Sequence, residues 1–108
     1  MINLKPDPQL RNGYKDKSHL QRVANLPCVL CFFIGEKQTT KTTVHHFHGG
    51  GIGKKSSDLR VMALCENHHQ KGAFAFHNIG RVAFEEKFGI DQNRLIELTN
   101  RMLENENN

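Results

Sequence analysis

The residues best suited to chemistry in this chain run in a fixed order: Cys28-Val-Leu-Cys31, His45-His46, Cys65-Glu-Asn-His68-His69 and His77. Cys28, Cys31, Cys65 and His68 fall into two pairs, each with a gap of two residues. That gap lets both side chains of a pair reach one ion, and three thiolates with one imidazole make the closed tetrahedral donor set of a structural Zn2+ site. His45, His46, His69 and His77 are left over. Histidines gathered around a zinc knuckle point to a second metal with open coordination positions, which is where chemistry happens.

The chain has 108 residues, enough for one domain with a thin core. It has no Trp, one Tyr and seven Phe. A structural metal compensates for such a core, because metal binding free energy becomes folding free energy. Three cysteines, two of them in a Cys-x2-Cys pair, and a start without an apolar signal region argue against a secreted disulfide scaffold. No apolar run reaches the length of a membrane span, so the expected location is the cytoplasm, away from membranes. The net charge of +4 suits a polyanionic partner. Lys37, Lys41, Lys54, Lys55, Arg60 and Lys71 lie between the first ligand pair and the residue just past the second, whereas acids gather in the last quarter. A solvated basic face is the plain alternative.

The elements that must position these residues are partly visible. Residues 1–14 hold Pro6, Pro8 and Gly13 and no periodicity, and read as a flexible arm. Residues 16–25 predict a short helix with Asp16 as N-cap, Leu20, Val23 and Ala24 on one face, and Pro27 ending the segment. Val29 to Ile34 reads as a strand or a tight knuckle turn. Thr43 to His48 is β-branched and aromatic before Gly49-Gly50-Gly51, and Arg60 to Leu64 is a second apolar run, so the two predict a β-hairpin around a glycine-rich loop. From Glu66 the pattern is helical with breaks near Gly72 and Gly80, and Val82, Ala83 and Phe88 are expected core contacts. A last amphipathic helix follows Asp91, with Leu95, Ile96, Leu98, Met102 and Leu103 on its apolar stripe. Phe74, Phe76, Phe84 and Phe88 are expected in the core. The working division is an arm over 1–14, a folded domain over 15–104 and a disordered polar tail over 105–108.

A hairpin bearing a His-His pair, followed by a helix bearing a further His and braced by Cys-x2-Cys and Cys-x2-His pairs, resembles the HNH (ββα-metal) endonucleases. More narrowly, His45-His46, the stretch Gly53-Lys54-Lys55-Ser-Ser-Asp58, Leu64-Cys65-Glu-Asn-His68-His69 and Phe76-His77-Asn-Ile-Gly80 are similar to the Ref-like, DUF968-type HNH proteins of phages and prophages. The resemblance spans about residues 15–90. It implies an α+β fold, a small zinc-stabilised ββα-metal domain with flanking helices. It also implies a metal-dependent DNA endonuclease, a phosphodiester hydrolase of low sequence specificity linked to phage recombination. His46 would be the general base that deprotonates the attacking water. His45, His69 and His77 would hold a catalytic divalent ion, Mg2+ or Mn2+ first and Zn2+ or Ni2+ as alternatives. DNA is the implied partner, a recombinase filament a further one, and the chain would act as a monomer or a homodimer.

Two departures from the family pattern stand out. Many members place their last helical ligand four residues after the first, where this chain has Ala73, and His77 follows at eight. The middle Asn of the motif is missing too, and counting back from Leu64-Cys65 puts Arg60 in its place. Asp58 is the better residue for bracing the loop, since its carboxylate accepts backbone N–H groups, while Arg60 suits a phosphate. With Arg60, the residues expected to track a DNA backbone are Lys54, Lys55 and Lys71. Gly49 to Ser56 is not a nucleotide-binding loop, because Lys55 stands where that motif needs Ser or Thr. His48 reads as a partly exposed strand histidine. The rival reading is a non-catalytic, zinc-stabilised nucleic-acid-binding module, which has no need of His45, His46 and His69 together.

Overall fold

A computed structural model of the chain describes residues 11–48 and 56–106. Helix α1 spans Lys17–Ala24, α2 Val29–Ile34, strand β1 Thr42–His46 and strand β2 Val61–Cys65. A π-helical turn, Asn67–Lys71, follows, then α3 (Phe76–Ile79), α4 (Arg81–Phe88) and α5 (Gln92–Glu106). The fold is a small mixed α/β one built on a two-stranded antiparallel sheet.

Local chemistry accounts for the element ends. Asp16 caps α1 by accepting the His19 N–H at 3.0 Å. Val29 to Ile34 is a helix and not the expected strand or turn. Cys28 is its N-cap, with its sulfur accepting the Cys31 N–H at 3.4 Å, and Gly35 ends it in the left-handed region at φ 73°. With a cap at each end, these flanking residues outweigh the strand preference of Val29 and Ile34. The π turn closes through the Gly72 N–H on the Asn67 carbonyl at 3.0 Å. A side chain at Gly72 would collide with that carbonyl, so glycine is required there.

The sheet has an unbroken register, Thr42↔Cys65 through His46↔Val61, extended by the Phe47 N–H on the Arg60 carbonyl. All five residues of β2 are buried. α1, α2 and α5 pack against this strand, which explains a continuous apolar run in place of alternation. Thr99 of α5 reaches its free edge, where its hydroxyl accepts the Ala63 N–H at 3.2 Å and donates to the Leu95 carbonyl at 2.8 Å. Phe76, Phe84, Leu95, Ile96 and Leu103 complete the core. Phe74 and Val82 do not join it. Phe74, in the link between the π turn and α3, is 54% exposed; Val82 is 58% exposed and Ala83 is exposed too, because α4 turns Phe84 inward and presents these two preceding residues to solvent. Helix α5 runs to Glu106, into the stretch read as polar tail. No described helix is long and apolar enough to cross a membrane.

Thr99→Val keeps the shape of the side chain and leaves the buried Ala63 N–H without a partner. The expected loss is about 1–3 kcal/mol, read as a lower urea midpoint at unchanged m-value.

Candidate functional site

The π turn carries neighbouring His68 and His69 into two separate clusters. Cys28 at the start of α2, Cys31 within it, Cys65 at the end of β2 and His68 bring their ligand atoms within 4.8 Å of one another. Cys31 Sγ is 3.8 Å from Cys65 Sγ. His68 Nδ1 lies 3.7 Å from Cys28 Sγ, 3.5 Å from Cys31 Sγ and 3.3 Å from Cys65 Sγ. A tetrahedron with Zn–S of about 2.3 Å and Zn–N of about 2.0–2.1 Å has S–S edges of roughly 3.8 Å and S–N edges of roughly 3.6 Å. The four residues therefore fit a metal ion such as Zn2+. The sulfurs are far too distant for a disulfide, whose S–S length is about 2.05 Å. Burial pushes the Cys28 and Cys31 thiols up from their usual range, so a cation is what would favour their thiolate form.

The surroundings of this cluster are set by residues that pattern reading passes over. Glu36, next after the glycine that ends α2, holds a carboxylate oxygen 3.5 Å from His68 Nε2. That is the carboxylate–histidine arrangement that orients a metal ligand. Gln38 accepts the Cys28 N–H at 2.7 Å and donates to the Thr40 carbonyl and the Thr42 hydroxyl, tying the knuckle to the start of β1.

His45, His69 and His77 form the second cluster. Their ring centroids stand 4.7, 5.0 and 4.8 Å apart, and their ligand atoms again lie within 4.8 Å of one another. His69 Nε2 and His77 Nε2 are 3.1 Å apart. His45 is 3% exposed, and its Nε2 is buried with no hydrogen-bond partner. Such an orphaned nitrogen is costly unless something binds it. Burial first, then the neighbouring imidazoles, depress His45 to about 3; burial and then His77 take His69 to about 4. Both rings are neutral at pH 7, as metal ligands must be. His77 reaches the cluster although the chain breaks at Gly72. Asn78 beside it donates to the Gln70 and Gly72 carbonyls at 2.8 and 2.7 Å, stapling α3 to the π turn.

His46 is not in this cluster. β1 has no bulge, so His45 and His46 leave opposite faces of the strand. His46 Nε2 instead meets Asp58 Oδ1 at 2.7 Å. The other oxygen of Asp58 accepts the Asp16 N–H at 2.9 Å, and the Asp58 N–H donates to the Tyr14 carbonyl. Asp58 thus joins the end of the hairpin to the segment before α1. Arg60 stacks its guanidinium 3.6 Å over the Phe47 ring and donates to Asn93. Lys71 pairs with Glu66 at 2.7 Å. His48 is exposed, held through its backbone by Gln92. Lys54 and Lys55 lie outside the described residues.

The chain matches, over residues 5–105, the family described as "Protein of unknown function (DUF968)", and it belongs to that family. It is 32% identical over 99 residues to the "Uncharacterized protein YdfU" of Escherichia coli (strain K12), an alignment covering 89% of this chain and 25% of that protein. The chain therefore spans about a quarter of the length of the curated relative it matches. No solved structure matches it.

Elemental analysis of the purified protein is expected to find Zn2+ at the cysteine cluster, and Cys65→Ser to lose that ion and melt at lower temperature. Acid should destabilise the protein through the second cluster. His45 and His69 have folded pKa values below the unfolded value of about 6.5, so the unfolded chain takes up protons first. Stability without added divalent ion is expected to fall as pH drops from about 6.5 towards 4. Thermal melts of His45→Phe over the same range should fall less steeply than those of wild type.

Proposed function

We propose that this DUF968 protein is a metal-dependent DNA endonuclease of the HNH type, its hairpin and π turn forming a ββα-metal site. One observation carries the reading: the convergence of His45, His69 and His77, with the orphaned His45 nitrogen buried among them. A binding module gains nothing from three imidazoles held this way, and the cysteine cluster already braces the fold. An ion bound by these three residues would supply positive charge to a scissile phosphate and to the oxygen that leaves it. The donor set holds three imidazoles and no carboxylate, which suits Zn2+ or Ni2+ better than Mn2+ or Mg2+.

His46 is the proposed general base. Asp58 accepts from its Nε2, so the neutral ring carries its hydrogen there and keeps a lone pair on Nδ1. Nδ1 takes the proton of the attacking water, and the Asp58 carboxylate stabilises the imidazolium that results. This is the division of labour between histidine and aspartate in a serine-hydrolase triad. Asp58 is accordingly assigned to orienting the base as well as to bracing the hairpin. Because His45 and His46 leave opposite faces, the phosphate must lie across the end of β1. Arg60 emerges at that end and has guanidinium hydrogens beyond the one Asn93 takes. Cutting one strand per site, the enzyme would need a homodimer or two successive events to break a duplex. A recombinase filament as the director of cutting is an extension of the same proposal.

The test is cleavage of supercoiled and single-stranded DNA with Mn2+, Ni2+, Zn2+ or Mg2+ supplied in turn. Wild type should nick with at least one ion, His46→Ala should lose about 10²–10⁴-fold, and Asp58→Asn should fall between the two. DNA binding without cleavage under every ion would instead support the binding module, and full activity in His46→Ala would remove the base assignment.

A further inference from the structure

We propose that Thr43 is a positioning residue that determines which ring nitrogen His69 offers to an ion, an inference that rests on reading His45, His69 and His77 as a metal site. Thr43 stands on β1 two residues before His45, on the same face of the strand. Its hydroxyl oxygen is 2.7 Å from the Leu64 carbonyl and 2.7 Å from His69 Nδ1. These two contacts leave one assignment. A carbonyl only accepts, so the single hydroxyl hydrogen points to Leu64. The oxygen then faces His69 with a lone pair, and His69 Nδ1 must carry the hydrogen between them. A neutral imidazole with hydrogen on Nδ1 has its lone pair on Nε2, and that atom is the one 3.1 Å from His77 Nε2.

The opposite tautomer would aim a hydrogen at His77 and withdraw His69 from the donor set. Thr43 excludes it at the cost of one ordered hydroxyl. The anchor of that hydroxyl is also informative. Leu64 directly precedes Cys65, so one side chain ties the backbone leading into the cysteine cluster to the ring of the histidine cluster. A valine would keep the β-branched shape suited to a strand and lose both hydrogen bonds, whereas a serine would keep both.

The experiment is a Co2+ titration of the purified chain, with thiolate-to-cobalt absorption reporting the cysteine cluster and calorimetric stoichiometry reporting the second ion. Wild type should take up two ions. Thr43→Val should weaken the second about 10–100-fold with the thiolate absorption unchanged, and Thr43→Ser should restore it. Long-range 1H–15N spectra should show His69 as the Nδ1–H tautomer in wild type and as a mixture in Thr43→Val. Equal affinity with an unchanged tautomer in Thr43→Val overturns the inference alone, as does a Thr43→Ser as weak as Thr43→Val. Uptake of a single ion by wild type overturns both the inference and the metal-site reading beneath it.

Discussion

The gathering of Cys28, Cys31, Cys65 and His68 is the constraint on which the rest depends. It pins α2, the end of β2 and the π turn to one point. α2 is short and turns Phe32 and Phe33 to solvent, so beyond this point it is held by Val29 and Leu30, which are buried where it packs on β2 and α5. Burial pushes the Cys28 and Cys31 thiols up, and a bound cation would favour their thiolate form. The binding free energy of such a cation would add to folding free energy at this junction.

The second cluster inherits its geometry from the first. His68 and His69 are neighbours on one turn, so fixing the His68 ring against three sulfurs also fixes the direction in which His69 leaves the backbone. Thr43 then holds the His69 ring, Asn78 holds the helix bearing His77, and the β1–β2 register delivers His45. The donors differ in kind as well as position. A set of three sulfurs and one nitrogen closes around its ion, whereas three imidazoles leave positions for water or substrate.

Much of this was legible in the sequence, for reasons of range. The two-residue gaps, the Asp16 cap of α1, the hairpin and the break at Gly72 are local patterns, and each reappears in the structure. What local pattern misses depends on distant partners. Val29 to Ile34 is apolar enough for a strand, and only the sulfur cap and the left-handed glycine make it helical. Phe74 and Val82 have the composition of core residues, yet Phe74 stays exposed in the link before α3 and Val82 on the outer side of α4, where Phe84 faces in. Glu36, Thr43 and Asn78 are ordinary polar residues until the fold places a histidine beside them or beside the helix they staple.

The pairing of His46 with Asp58 shows the same limit most sharply. Neighbouring residues on a regular strand face opposite ways, and β1 has no bulge that would bring both histidines to one site. The regular strand separates their tasks instead. His45 is buried against two other imidazoles where its ring stays neutral, and His46 faces a carboxylate anchored by the backbone of Asp16. In the proposed enzyme, a cation ligand and a proton acceptor would thereby be kept in different electrostatic surroundings one residue apart. An acid placed on the His45 side would add an anionic ligand to the ion, and removing Asp58 from the His46 side would leave the ring free to turn. The alternation of a single strand keeps both requirements satisfied, and it confines any substrate that needs the two groups together to the open end of β1.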